Sequence, residues 1–131
     1  MDISLCAINH KTKSVSWAGA NNPLWYTNGK NIIEITADKQ PIGKSDHPKP
    51  YSTHSIPVSK GDSIFLFTDG YADQFGGPKG KKFKYKQFQE LLLAQNNTSP
   101  DAQMQAIHDT FIQWKGAHEQ IDDVCVIGFR I

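Results

Sequence analysis

Residues 63–70 read Ser-Ile-Phe-Leu-Phe-Thr-Asp-Gly, and this stretch constrains the fold more than any other. A short apolar run bounded by turn residues fits a strand buried on both faces. Such a strand has no place for an acid within it. Asp69 stands at its C-terminal end, where a carboxylate can face a cleft. Gly70 lets the chain turn at once and leaves room for something to approach the backbone.

The flanking segments are strand-rich before this run and helix-rich after it. Asp2 to Ile8 alternates, with Ile3, Leu5 and Ala7 on one side, which predicts a half-buried strand. Ser14 to Ala18 alternates again across a polar turn, which predicts a hairpin. Leu24 to Thr27 and Asn31 to Ile35 flank Asn28-Gly29, the signature of a type I′ turn. Together these predict a four-stranded antiparallel meander. Ala37 to Pro50 is a long aperiodic loop. Tyr51 to Val58 reads as an edge strand, because Pro57 limits its pairing. Lys60-Gly61-Asp62 turns into the run that ends at Asp69.

Beyond Asp69, Tyr71 to Lys82 is irregular and increasingly basic. Phe83 to Gln95 is predicted helical, with Phe88, Leu91 and Leu92 on one face. Ser99-Pro100-Asp101 opens a second helix with an N-cap, a proline at the first position and an acid in the first turn. Met104, Ile107, Phe111 and Trp114 mark its expected buried stripe, and Gly116 its end. Ile121 to Phe129 places two acids, Asp122 and Asp123, before another apolar strand.

Asp122 is the counterpart of Asp69, since one acid ends an apolar strand and the other begins one. Antiparallel pairing of those strands would bring both carboxylates to one edge of the sheet. Like charges held close raise one another's pKa unless a cation intervenes. Neither acid has Lys or Arg beside it in sequence. Carboxylate and carbonyl oxygens suit Mg²⁺ or Mn²⁺, so the candidate metal-ligating residues of this pairing are Asp69 and Asp122. Read from patterning alone, the two acids also fit an ordinary turn and a solvated loop end.

Several segments, in this order, resemble the SpoIIE/RsbU-type serine phosphatases of the metal-dependent protein phosphatase 2C superfamily. Ala18-Gly19-Ala20-Asn21-Asn22-Pro23 is similar to the family's A-G-x-N/H-x-P loop, and Gln40-Pro41-Ile42-Gly43 to its P-L/I-G segment. Lys60-Gly61-Asp62 resembles its G-D turn. Thr68-Asp69-Gly70-Tyr71-Ala72-Asp73 resembles its T-D-G-x-x-E/D motif, and Asp122-Asp123-Val124 its C-terminal D-D/N motif. The resemblance implies an α+β fold in which two antiparallel sheets form a β-sandwich with flanking helices. Strands of both sheets and one helical pair are expected here. It also implies hydrolysis of phosphoserine or phosphothreonine at a dinuclear Mn²⁺ or Mg²⁺ site. By this resemblance Asp69 and Asp122 fall on ligand and catalytic positions, Gly70 of the T-D-G motif on a further metal-site position, Asp73 on a weaker accessory one, and Asp123 on a structural one. The family's further acids lie in segments that would precede Asp2. Residues 1–131 therefore resemble the C-terminal part of one catalytic domain, expected to bind metal poorly and turn over little. The implied partner is a phosphorylated regulatory protein of the anti-sigma-factor-antagonist type. The rival reading is a non-catalytic signalling or interaction domain on a phosphatase scaffold.

The remaining features bound the function class. With 14 basic and 13 acidic side chains the formal net charge is +1, which argues against a nucleic-acid partner overall. The lysine run at 79, 81, 82, 84 and 86, interleaved with Phe83 and Tyr85, is read as a solvated loop leading into a helix, with a nucleic-acid surface or a docking surface for a phosphoprotein as the alternatives. The five histidines show no metal-ligand spacing. Cys6 and Cys125 lie in apolar runs and predict two buried free thiols, hence a reducing, cytoplasmic setting. No run reaches the roughly 18 apolar residues of a membrane span. A strand that starts at Asp2 without a leader predicts a segment of a longer protein. Its exposed sheet edges predict self-association.

Overall fold

The computed structural model describes all of residues 1–131. β1 (Ile3–Asn9) and β2 (Ser14–Ala20) form the expected hairpin, and β5 (His54–Ile56) adds to the free side of β2. The second sheet runs β4 (Ile32–Ile35), β3 (Leu24–Thr27), β6 (Ser63–Phe67), β9 (Val126–Arg130), antiparallel throughout. A two-stranded β7–β8 ribbon (Phe75–Gly76, Lys81–Lys82) follows the one-turn helix α1 (Gly70–Asp73). α2 (Tyr85–Ala94) and α3 (Pro100–Lys115) complete the chain.

The four-stranded meander does not form, because β1–β2 and β3–β4 lie in different sheets. Ala18-Gly19-Ala20-Asn21-Asn22-Pro23 makes the crossover. Asn21 adopts φ +63° and its N–H donates to the Asp38 carbonyl at 2.9 Å. A Cβ at Gly19 would run into the Trp17 ring and the Asn22 carbonyl. The chain thus leaves one sheet at a position where only glycine fits.

The β3–β4 connection also departs from a type I′ turn. Only Gly29 takes a positive φ, and the strands resume at the Thr27↔Ile32 pair. Thr27 Oγ1 accepts from the Gly29 N–H at 2.9 Å and donates to the Asn31 carbonyl at 2.6 Å. That side chain builds a wider loop in place of the two-residue turn.

β6 is buried on both faces, as expected, and forms the wall between two cores. Ile64 packs with Val15, Trp17, Leu24 and Ile56 between the two sheets. Phe65 and Phe67 turn the other way, into an aromatic core with Trp25, Tyr71, Phe83, Phe88, Leu92 and Phe111 beneath the helices. The alternation of side chains along a strand makes this division. The result is a β-sandwich with a helical layer over the four-stranded sheet, the α+β architecture expected from the sequence.

α3 begins as predicted, with Ser99 Oγ accepting from the Ala102 N–H at 3.2 Å and Pro100 at the first position. Apolar residues of the expected half-buried strand and helix stripe are exposed: on β1, Leu5 is 63% exposed, while Ser4 and Cys6 of the other face are partly covered. Met104 is 64% exposed, and Gln103 points inward in its place. Ile127 on the edge strand β9 is 53% exposed. Cys125, just before β9, is exposed as well, against the expectation of a buried thiol. Cys6 is half-buried on β1, and both thiols are free.

Candidate metal centre

β6 and β9 pair antiparallel through Phe67↔Val126, so the residues that leave β6 and enter β9 meet at one end of the sheet. The ladder extends one step further, with the Thr68 N–H donating to the Cys125 carbonyl at 3.0 Å. The Thr68 hydroxyl then donates to the Asp123 carbonyl and accepts from the Cys125 N–H, each at 3.0 Å. Thr68 thereby ties the acid-bearing segment to the end of β6. A Cβ at Gly70 would collide with the Asp123 carbonyl oxygen, so glycine is what allows this close approach.

The carboxylates of Asp69 and Asp122 come within hydrogen-bonding reach of each other. Asp69 precedes α1 but its side chain makes no capping hydrogen bond to the helix. Its pKa is raised from the ordinary aspartate value. Lost hydration is the largest cause, followed by the charges of Asp122 and Asp73. Asp69 stays exposed as a residue, so the effect is a partial loss of hydration at one edge. Asp122 Oδ1 accepts from the Asp123 N–H at 2.7 Å, and the Asp122 carbonyl accepts from Gln120 Nε2 at 2.9 Å.

The predicted site residues are thus partly assembled. Asp69 and Asp122 meet, and Asp73 lies close enough to act on Asp69 electrostatically. Gly70 is buried, and its visible role is steric. Asp73 has a lysine partner: Lys82 Nζ lies 3.4 Å from its Oδ1. The β7–β8 ribbon folds Lys82 back onto α1, a contact hidden by nine residues of sequence. Thr68 is the positioning residue that attention to acids alone overlooks. Its signal is its place directly before Asp-Gly, at the last rung of the ladder.

The donor chemistry fits a hard divalent cation. Oxygen-only ligands, drawn together with like charge and no base between Asp69 and Asp122, are the arrangement that Mg²⁺ or Mn²⁺ relieves. No group of three or more His, Cys, Asp or Glu side chains could hold a metal ion by itself.

Known structures share this fold. The SiaA-PP2C domain of Pseudomonas aeruginosa matches at a TM-score of 0.89 and 27% identity, over 99% of this chain and 51% of that one. The phosphatase domain of the cell fate determinant SpoIIE from Bacillus subtilis, presoaked with Mn, matches at a TM-score of 0.72 and 18% identity. That match covers 100% of this chain and 56% of that one. The Ser-Thr phosphatase MsPP from Mycobacterium smegmatis, in complex with cacodylate, matches at a TM-score of 0.59 and 13% identity, over 97% and 60% of the two chains. The chain spans between half and two thirds of these domains. No curated protein sequence matches significantly. The profile of stage II sporulation protein E (SpoIIE) matches residues 1–131. The chain belongs to the SpoIIE family and has the fold of a PP2C-type phosphatase domain.

Proposed function

We propose that residues 1–131 form the C-terminal portion of a metal-dependent protein serine/threonine phosphatase domain. One observation carries this reading: β6–β9 pairing brings the segments that bear Asp69 and Asp122 to a single sheet end, near enough for the charge of Asp122 to act on Asp69. These two acids are the proposed metal ligands and Asp73 an accessory one. Mn²⁺ or Mg²⁺ held there would supply Lewis acidity toward phosphoryl oxygens and lower the pKa of a water. The chain's own residues bind and position. Thr68 and Gly70 fix the distance between the two acid-bearing segments, and Lys82 restrains Asp73. The proposed substrate is a phosphorylated regulatory protein of the anti-sigma-factor-antagonist type, an assignment by family analogy. The proposed setting is cytoplasmic, in keeping with two free cysteines. No helix is long and apolar enough to cross a membrane.

Two measurements test the proposal. Mn²⁺ titration followed by electron paramagnetic resonance should show weak binding that Asp69→Asn and Asp122→Asn each reduce further. Equal retention by both variants would remove the site. Hydrolysis of a phosphoserine peptide by this chain with Mn²⁺ should be slow or absent. Robust turnover would overturn the view that the chain supplies only part of the centre. A second reading, a non-catalytic interaction domain on the same scaffold, is favoured by the incomplete ligand set. Acids in the polypeptide preceding residue 1 would discriminate for the enzyme.

A further inference from the structure

The segment Lys79-Gly80-Lys81-Lys82-Phe83-Lys84-Tyr85-Lys86 holds five lysines, and no acid occurs between Gln74 and Gln89. Removing these five from the 14 Lys and Arg leaves nine against 13 Asp and Glu, so the rest of the chain is net acidic. All five lysines are exposed. Lys82 alone is paired, with Asp73; the other four make no ion pair. A solvated loop would carry lysines of this kind without holding them in place, but this segment is held.

Its scaffold is firm. The Gly77 N–H donates to the Trp114 carbonyl at 2.9 Å, and Trp114 Nε1 donates to the Gln74 carbonyl at 2.9 Å. A side chain at Gly76 would collide with the Trp114 backbone. Phe83 is buried in the aromatic core, and the N–H groups of Phe83 and Lys84 donate to the Gln74 and Ala72 carbonyls at 3.0 and 2.8 Å. The lysines are thereby anchored to α1, which starts directly after Asp69. Proximity to the acids is visible at Tyr85, within the strip. Its pKa is raised by burial first, then by the charges of Asp73, Asp69 and Glu34.

We propose that Lys79, Lys81, Lys84 and Lys86 form a docking strip for a phosphorylated polypeptide with Asp or Glu flanking its phosphorylated residue. Lys82 meets Asp73, and Tyr85 lies near enough to feel Asp73 and Asp69, so the segment borders the acid-bearing end of β6, and a phosphoryl group bound at those acids would have its acidic flanks within reach of the segment. Lys82 is excluded, because Asp73 neutralises it. This inference rests on the phosphatase reading for the identity of the substrate. The complementarity of charge is the structure's own.

The test is fluorescence anisotropy of the 131-residue chain with two labelled phosphoserine peptides of equal length, in chelator, so that no metal contributes. One peptide is flanked by Asp and Glu, the other by Lys. The acidic peptide should bind on the order of tenfold more tightly at low salt, with the gap closing as salt screens exposed charges. A K79Q/K81Q/K84Q/K86Q variant should abolish the difference, with its fold checked by circular dichroism. A milder pair, K84Q/K86Q, should give part of the loss. Equal binding of the two peptides, or an unchanged preference in the fourfold variant, overturns the proposal. So does tighter, salt-sensitive binding of a single-stranded oligonucleotide of the same charge, which would assign the strip to nucleic acid. If the charge preference holds and Mn²⁺ binding is absent from the wild type, the docking strip stands and the metal reading fails.

Discussion

The Thr68 hydroxyl donates to the Asp123 carbonyl at 3.0 Å while accepting from the Cys125 N–H at the same distance. One small side chain thus holds both sides of the peptide segment that follows Asp122. Val has the same shape without the hydroxyl. Thr68→Val should lower stability by about 1–3 kcal/mol in urea denaturation, and Thr68→Ser by less. Equal loss in both would show that the methyl group, not the hydroxyl, matters.

Asp69 and Asp122 oppose each other in the metal-free chain. Asp122→Asn removes a like charge beside Asp69, so the urea midpoint in chelator should hold or rise. Added Mn²⁺ should raise the wild-type midpoint but not that of the variant, because a ligand stabilises only the form that binds it. A variant that loses stability in chelator would show that Asp122 is structural.

Gly70→Ala places a methyl group against the Asp123 carbonyl, where neither backbone segment can give way freely. The expected loss is about 1–3 kcal/mol, seen as a lower thermal midpoint. The same change at Gly61, which has open space but φ +93°, should lose stability through backbone strain alone. Mn²⁺ binding should separate the two, since only Gly70→Ala shifts the acids.

Tyr71 is buried, and its hydroxyl donates to the Ile107 carbonyl at 2.7 Å. Burial raises its pKa well above 10.0. A group raised in the fold stabilises fully below its unfolded pKa, and that contribution is lost as pH climbs toward the folded value. Stability should therefore fall from about pH 10 upward. Tyr71→Phe should flatten that decline while lowering neutral-pH stability by roughly 1 kcal/mol. An unchanged alkaline profile in the variant would locate the sensitivity elsewhere.

β9 offers an unpaired edge, with Ile127 and Cys125 exposed beside it. Concentration-dependent self-association is expected, and Ile127→Lys should suppress it, as charges on edge strands do. Light scattering that shows a monomer at high concentration would set this expectation aside.

The β6 run and its terminal acid are legible in the sequence because burial on both faces leaves no position for a charge within a strand. The Ser99 cap and Pro100 mark α3 through local chemistry alone. The division of β1–β2 and β3–β4 between sheets is not legible there, since alternation specifies a strand but not its neighbour. Helical periodicity places Met104 inside, yet a stripe is buried only where something covers it. Lys82 meets Asp73 through a ribbon whose path is set by Trp114, far along the chain.

β6 belongs to both cores, and this makes the acid at its end a gauge. Ile64 answers to the sheet of β1, β2 and β5, while Phe65 and Phe67 answer to α2 and α3. A loosened contact in either layer tilts the same strand and carries Asp69 with it. Two regions that share no buried side chains are therefore read out at a single carboxylate, whose distance from Asp122 would register damage to either.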